Sequence, residues 1–111
     1  MKVEEVENVI KLYEAILARP SMYFGNSEDY SAVIHFTAGF YSALVATNQS
    51  SPTYPNREEI YKMRGWEFTQ FGAVNEMKEK GFSNEEIIKE LTLIELKVWE
   101  AFRNNLKECA E

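Results

Sequence analysis

The sequence predicts an all-α protein, one compact helical domain arranged around a central uncharged helix. Three observations carry that prediction. Apolar residues recur at three- and four-residue steps near both ends of the chain, helix-starting and helix-stopping residues punctuate the segments between, and residues 30–47 carry no formal charge. A length of 111 residues suits one domain and is too short for two ordinary ones. Two Trp, six Tyr and seven Phe supply a core and argue against disorder.

Val3, Val6, Ile10, Tyr13 and Leu17 step as one face of a helix over residues 3–18, with Val9 and Ile16 widening the stripe. The helix stops at Arg19-Pro20, because the residue before proline is pushed out of the α region. Arg19 to Gly25 then reads as a loop whose Met22, Tyr23 and Phe24 pack down on the core, since exposing all three is costly. Asn26 or Ser27 caps the next helix, with Glu28 and Asp29 in its first turn. From Tyr30 to Thr47 that helix lacks a charged face, which places it at the centre, with Gly39 admitting a close neighbour.

Asn48 to Pro55 reads as an exposed loop, and Asn56 with Glu59 as the capped start of a short helix ending near Arg64-Gly65. Trp66 to Lys80 mixes two signals. Residues 66–69 alternate like a strand and Phe71, Val74 and Met77 step like a helix; helix is favoured, because a lone strand has nothing to pair with. After Gly81, Ser83 and Glu86 form a capping box, and Phe82 can staple against Ile87. The last helix runs to about Lys107, with Ile87, Leu91, Ile94, Val98 and Phe102 on one face. Leu93, Leu96 and Trp99 fall outside that stripe, so this helix is buried on two sides or meets a partner.

The composition excludes several function classes. Cys109 is the only cysteine, so there is no internal disulfide and no tetrathiolate zinc site, as suits a reducing cytoplasm. Glutamates at 4, 5 and 7 break the apolar run that a secretory leader needs. The Tyr30–Gln49 stretch holds too many polar residues to span a membrane. A net charge of −6, with Asp29 the lone aspartate, disfavours phosphate backbones and anionic lipids. The same acidity suits a basic protein partner, and equally serves plain solubility. Lys and Arg form no basic stripe for nucleic acid.

His35, the only histidine, has Ser31, Ala32, Ala38 and Gly39 near it on its face and reads as a hydrogen-bonded core residue, not a general base. One His and one Cys far apart form no metal-ligand set, and the five glycines are too scattered for a phosphate loop. No cofactor, no metal and no autonomous catalysis are expected.

Two resemblances enter through the stretch YEAILARPSMYFGNSEDYSAVIHFTAGFYSAL, residues 13–44. Its RPSMYFG core resembles the RPGMYIG segment of the DNA gyrase B ATPase domain, where a following helix bears the asparagine and acid used for magnesium-ATP. The following helix here has no such pair, and the later glycine-containing nucleotide motifs are absent. The longer layout is similar to small bacterial immunity proteins encoded beside polymorphic or contact-dependent-inhibition toxins. These have an amphipathic helix, R-P-x-M-Y-x-G, a Phe-x-x-Gly-Phe/Tyr helix (here Phe36, Gly39, Phe40, Tyr41), a Trp-containing middle (Trp66) and a glutamate-rich last helix. The first half matches in motif and the second in layout.

That resemblance implies a cytoplasmic immunity protein that binds a cognate toxin domain, a basic nuclease being the expected kind, and occludes its active site. Arg19, Pro20, Met22, Tyr23 and Gly25 are then the structural motif between the first two helices. The expected partner contacts are exposed acids and aromatics: Glu28, Asp29, Tyr30, Tyr54, Glu58, Glu59, Tyr61 and Glu67. The alternative is a helical adaptor acting as a homodimer through Leu93 and Trp99.

Overall fold

A 27-residue helix, α6 (Asn84–Ala110), is the axis on which the rest assembles. Its length of about 40 Å sets the long dimension of a body measuring 44 × 30 × 24 Å. The computed structural model describes residues 1–25, 29–49, 54–66 and 70–110. Five more helices appear among them: α1 (Val3–Ala18), α2 (Pro20–Phe24), α3 (Tyr30–Ala46), α4 (Tyr54–Met63) and α5 (Gln70–Glu79). There is no strand among the described residues, so the all-α single domain stands.

The local signals explain where helices begin and end. The Glu86 carboxylate accepts from the Ser83 N–H at 3.0 Å, and the Ser83 hydroxyl accepts from the Glu86 N–H at 3.2 Å, which closes the capping box of α6. Helices α4 and α5 end alike. Gly65 (φ 71°) and Gly81 (φ 85°) take the left-handed turn, and the next residue's N–H returns to a carbonyl five residues back, Trp66 to Tyr61 and Phe82 to Met77. Asp29, not Asn26 or Ser27, caps α3, its carboxylate accepting from the Ser31 N–H at 3.1 Å. Helix α4 starts ahead of Asn56, with Pro55 inside its first turn, where a missing N–H costs nothing. The strand-like residues 67–69 lie outside the described residues, and from Gln70 the chain is helical.

Helix α6 is buried on two sides. One side packs Ile87, Ile88, Leu91, Ile94 and Val98 against Val33 and Ile34 of α3, Tyr61 of α4 and Ala73, Val74 and Met77 of α5. The other packs Leu96, Trp99 and Phe102 against Val6, Val9, Ile10, Tyr13 and Ile16 of α1, with Leu93, Phe36, Phe40 and Tyr41 closing over them. The apolar surplus that prompted the homodimer alternative is therefore satisfied within the chain. Trp99 is fully buried.

Three expectations are corrected. The hub of the domain is α6, not the uncharged helix: only Val33, Ile34 and Thr37 of α3 are buried, and Ala38, Gly39, Ser42, Ala43 and Ala46 face outward. That outer face dispenses with charge because most of its side chains are small and expose little apolar area each, Val45 at 65 % exposed being the exception among its apolar residues. His35 lies on the exposed side and is no core residue. Finally, the Arg19–Gly25 motif is not a loop packed down on the core. Pro20 to Phe24 forms a short helix, and three successive side chains spaced by 100° cannot all face inward. Phe24 turns in, edge-on to Phe36 at 5.8 Å, while Met22 is 69 % and Tyr23 42 % exposed.

Candidate functional site

Helix α4 has two chemically opposite faces. Arg57, Tyr61 and Arg64 recur at four- and three-residue steps, so they share the side turned to α6. Arg57 makes a two-pronged contact with the fully buried Glu95 of α6, Nε to Oε1 at 3.1 Å and Nη2 to Oε2 at 2.7 Å. The Tyr41 hydroxyl donates to Glu95 Oε2 at 3.3 Å and accepts from Arg57, whose guanidinium carbon lies 4.7 Å from the centre of the Tyr41 ring. Burial works against the Arg57 charge, but the hydrogen bond and charge of Glu95 outweigh it and hold the guanidinium protonated more firmly than usual. Two turns on, Arg64 Nε donates to Glu90 at 2.9 Å.

With both arginines engaged inward, the outward face of α4 keeps its acids. Glu58, Glu59, Lys62 and Met63 line an open concavity of about 530 Å³. Among the described residues neither carboxylate is ion-paired, although Lys62 stands one turn away. Met63, at 79 % exposed, is the most exposed large apolar side chain described. Two carboxylates beside one ammonium and a polarisable thioether leave a net negative charge that can take a cationic group and the aliphatic stem that carries it.

The other expected contacts divide. Asp29 is exposed, but its carboxylate is held by the Ser31 hydroxyl and N–H, which keep it more acidic than usual. Tyr30 is half-buried, with Lys78 donating to its hydroxyl at 2.6 Å and lying 4.4 Å from the ring centre. Tyr61 is a correction: four residues from Arg57, it belongs to the inner face, and its ring is buried in the core. Glu28, Glu67 and the Tyr54 side chain lie outside the described residues. The site thus retains Glu58 and Glu59 together, with Asp29 apart from them in the chain.

Sequence reasoning missed Lys62 and Met63, and also Arg57 and Glu95. Glu95 did leave a signal, a carboxylate four residues from both Leu91 and Trp99 and flanked by Ile94 and Leu96. Among the described residues no group of three or more His, Cys, Asp or Glu could hold a metal ion. No described helix is long and apolar enough to cross a membrane. No protein-family model matches the chain, and comparison with curated proteins and with solved structures finds no match.

Proposed function

We propose that this chain is a cytoplasmic bacterial immunity protein, which binds a cognate toxin domain and blocks its active site. The observation that carries the reading is the outward face of α4. Glu58 and Glu59 stand at an open concavity with Lys62 and the exposed Met63, and among the described residues neither carboxylate is ion-paired. Exposed carboxylates on a helix complement a basic active site, and glutamates there occupy the place of substrate phosphates. Acids at such a surface steer association and exclude wrong partners, while the thioether supplies apolar contact. The RPSMYFG motif and the layout similar to immunity proteins point the same way.

Co-expression tests the proposal. The chain is expected to restore growth of cells making the toxin encoded immediately upstream of it, and to co-purify with that toxin. Glu58→Lys with Glu59→Lys is expected to weaken binding by about ten-fold or more, mainly through slower association at low salt. A chain that neither binds nor neutralises that toxin ends the proposal. Full binding by the charge-reversed variant moves the contact surface away from α4.

A further inference from the structure

Among its described side chains, α4 meets the body through two buried or half-buried apolar ones, Tyr61 and Ile60. Apolar contact is non-directional, so two side chains do not by themselves choose among neighbouring rotations or slides of a ten-residue helix. What does choose is the contact with Glu95, a carboxylate wholly removed from solvent in the middle of α6. We propose that Glu95 is a register key for α4: Arg57 is the one cation of that helix it pairs with, and the pair thereby fixes Glu58, Glu59, Lys62 and Met63 in their outward positions.

The sequence on either side of Arg57 supports this. Rotating α4 by one residue in one direction brings Glu58 to Glu95 and sets two carboxylates together in a buried site. Rotating it the other way brings Asn56, which is short and uncharged. Sliding by one turn brings Ile60 or Tyr61. Each of these registers leaves Glu95 buried without a cation, which is strongly unfavourable. Arg57 alone satisfies both carboxylate oxygens, and Tyr41 closes the remaining side. A planar fork adds a directional requirement that a point charge lacks. Arg57 is thus a positioning residue, and its relevance to partner binding rests on the function proposed above.

Amide hydrogen exchange on the free chain tests the key without any partner. In Arg57→Met with Glu95→Leu, apolar groups replace the pair, and the melting temperature is expected to stay within about 5 °C of the parent. Exchange over residues 57–63 is expected to accelerate by about ten-fold or more, while the buried centres of α1 and α6 keep their protection. Unchanged α4 protection in that variant overturns the proposal. So does global unfolding, which would make the pair a prop for the whole fold. Arg57→Lys keeps the charge but loses the fork, and is expected to fold and to show faster α4 exchange; parental protection there also overturns the proposal. These outcomes are independent of toxin binding, so either idea can fail alone.

Discussion

The two seams along α6 are held by different physics. Where α1 lies on α6, the buried contact is apolar, Val6, Val9, Ile10, Tyr13 and Ile16 against Leu96, Trp99 and Phe102. The ion pairs of Glu7 with Arg103 at 3.5 Å and Lys107 at 3.4 Å stay at its partly exposed margin. Tyr41 and Phe40 of α3 cover Trp99 at 6.1 and 5.9 Å. Where α4 lies on α6, two arginine–carboxylate pairs do much of the joining. Aromatic burial supplies free energy in proportion to area and tolerates small shifts. The ionic seam supplies less and permits one arrangement. Stability therefore belongs mainly to the first seam, and the aim of the acidic face to the second.

The sharpest way to break the contrast is to empty the first seam. Trp99→Ala removes the largest fully buried side chain and is expected to cost about 3 to 5 kcal/mol, read by chemical denaturation. That loss is expected even though the indole N–H of Trp99 has no acceptor among the described residues. A cost under about 1 kcal/mol would mean that the aromatic cluster is a surface feature.

Second comes alkali. Burial, followed by the charge of Glu95, pushes the Tyr13 phenol well above its ordinary value of 10.0, and the same two causes raise Tyr61. A phenol whose folded value is raised loses its proton first in the unfolded chain. Its contribution is thus intact below pH 10 and is lost as pH climbs from there toward the folded value. Each phenol steepens the fall by about 1.4 kcal/mol per pH unit. Tyr13→Phe is expected to flatten the stability curve above pH 10 by that one-proton slope, measured by denaturant unfolding at successive pH values. An unchanged slope would place Tyr13 in contact with water.

The start of α6 tests whether both seams share one rigid axis. Ser83→Ala removes half of the capping box and is expected to cost about 1 kcal/mol. The reciprocal bond from the Ser83 N–H, then its hydroxyl, hold the Glu86 carboxyl below its ordinary value of 4.5. A depressed acid stabilises above its unfolded value and stops doing so as pH falls through its folded one. The difference between the parent and Glu86→Gln is therefore expected to be present at neutral pH and to vanish in acid.

These local features were legible in sequence because a few adjacent residues decide them. Ser83 and Glu86 announce a helix start, and Gly65 and Gly81 an end. Enclosure is a different kind of property, because it depends on how many neighbours a helix meets. The missing charges between Tyr30 and Thr47 therefore suggested a hub, whereas Ala38, Ser42, Ala43 and Ala46 make an outer face from small uncharged residues. Leu93, Leu96 and Trp99 carried the true signal, since a helix apolar beyond one stripe is covered from two sides. In the candidate site, Glu58 and Glu59 were legible as exposed acids. Tyr61 was misplaced because its exposure follows from Arg57, four residues earlier, pointing at a buried carboxylate 38 residues away in the chain.

The smallest expected effect separates the two ion pairs within the ionic seam itself. The Arg57 and Glu95 side chains are 15 % and 0 % exposed, those of Arg64 and Glu90 23 % and 24 %. Water and salt reach the second pair from both partners, so Arg64→Ala is expected to cost under about 1 kcal/mol. Part of that cost is lost packing, since the guanidinium of Arg64 also lies 5.8 Å from the centre of the Trp66 ring. A double-mutant cycle with Glu90→Ala isolates the ionic part, which is expected to fall further between 0.05 and about 0.5 M salt. The corresponding cycle at Arg57 and Glu95 is expected to change little over that range, because no ions enter a contact from which Glu95 excludes solvent. Equal salt sensitivity of the two cycles would place Glu95 within reach of water, and the ionic seam would then hold α4 by attraction alone, without choosing its register.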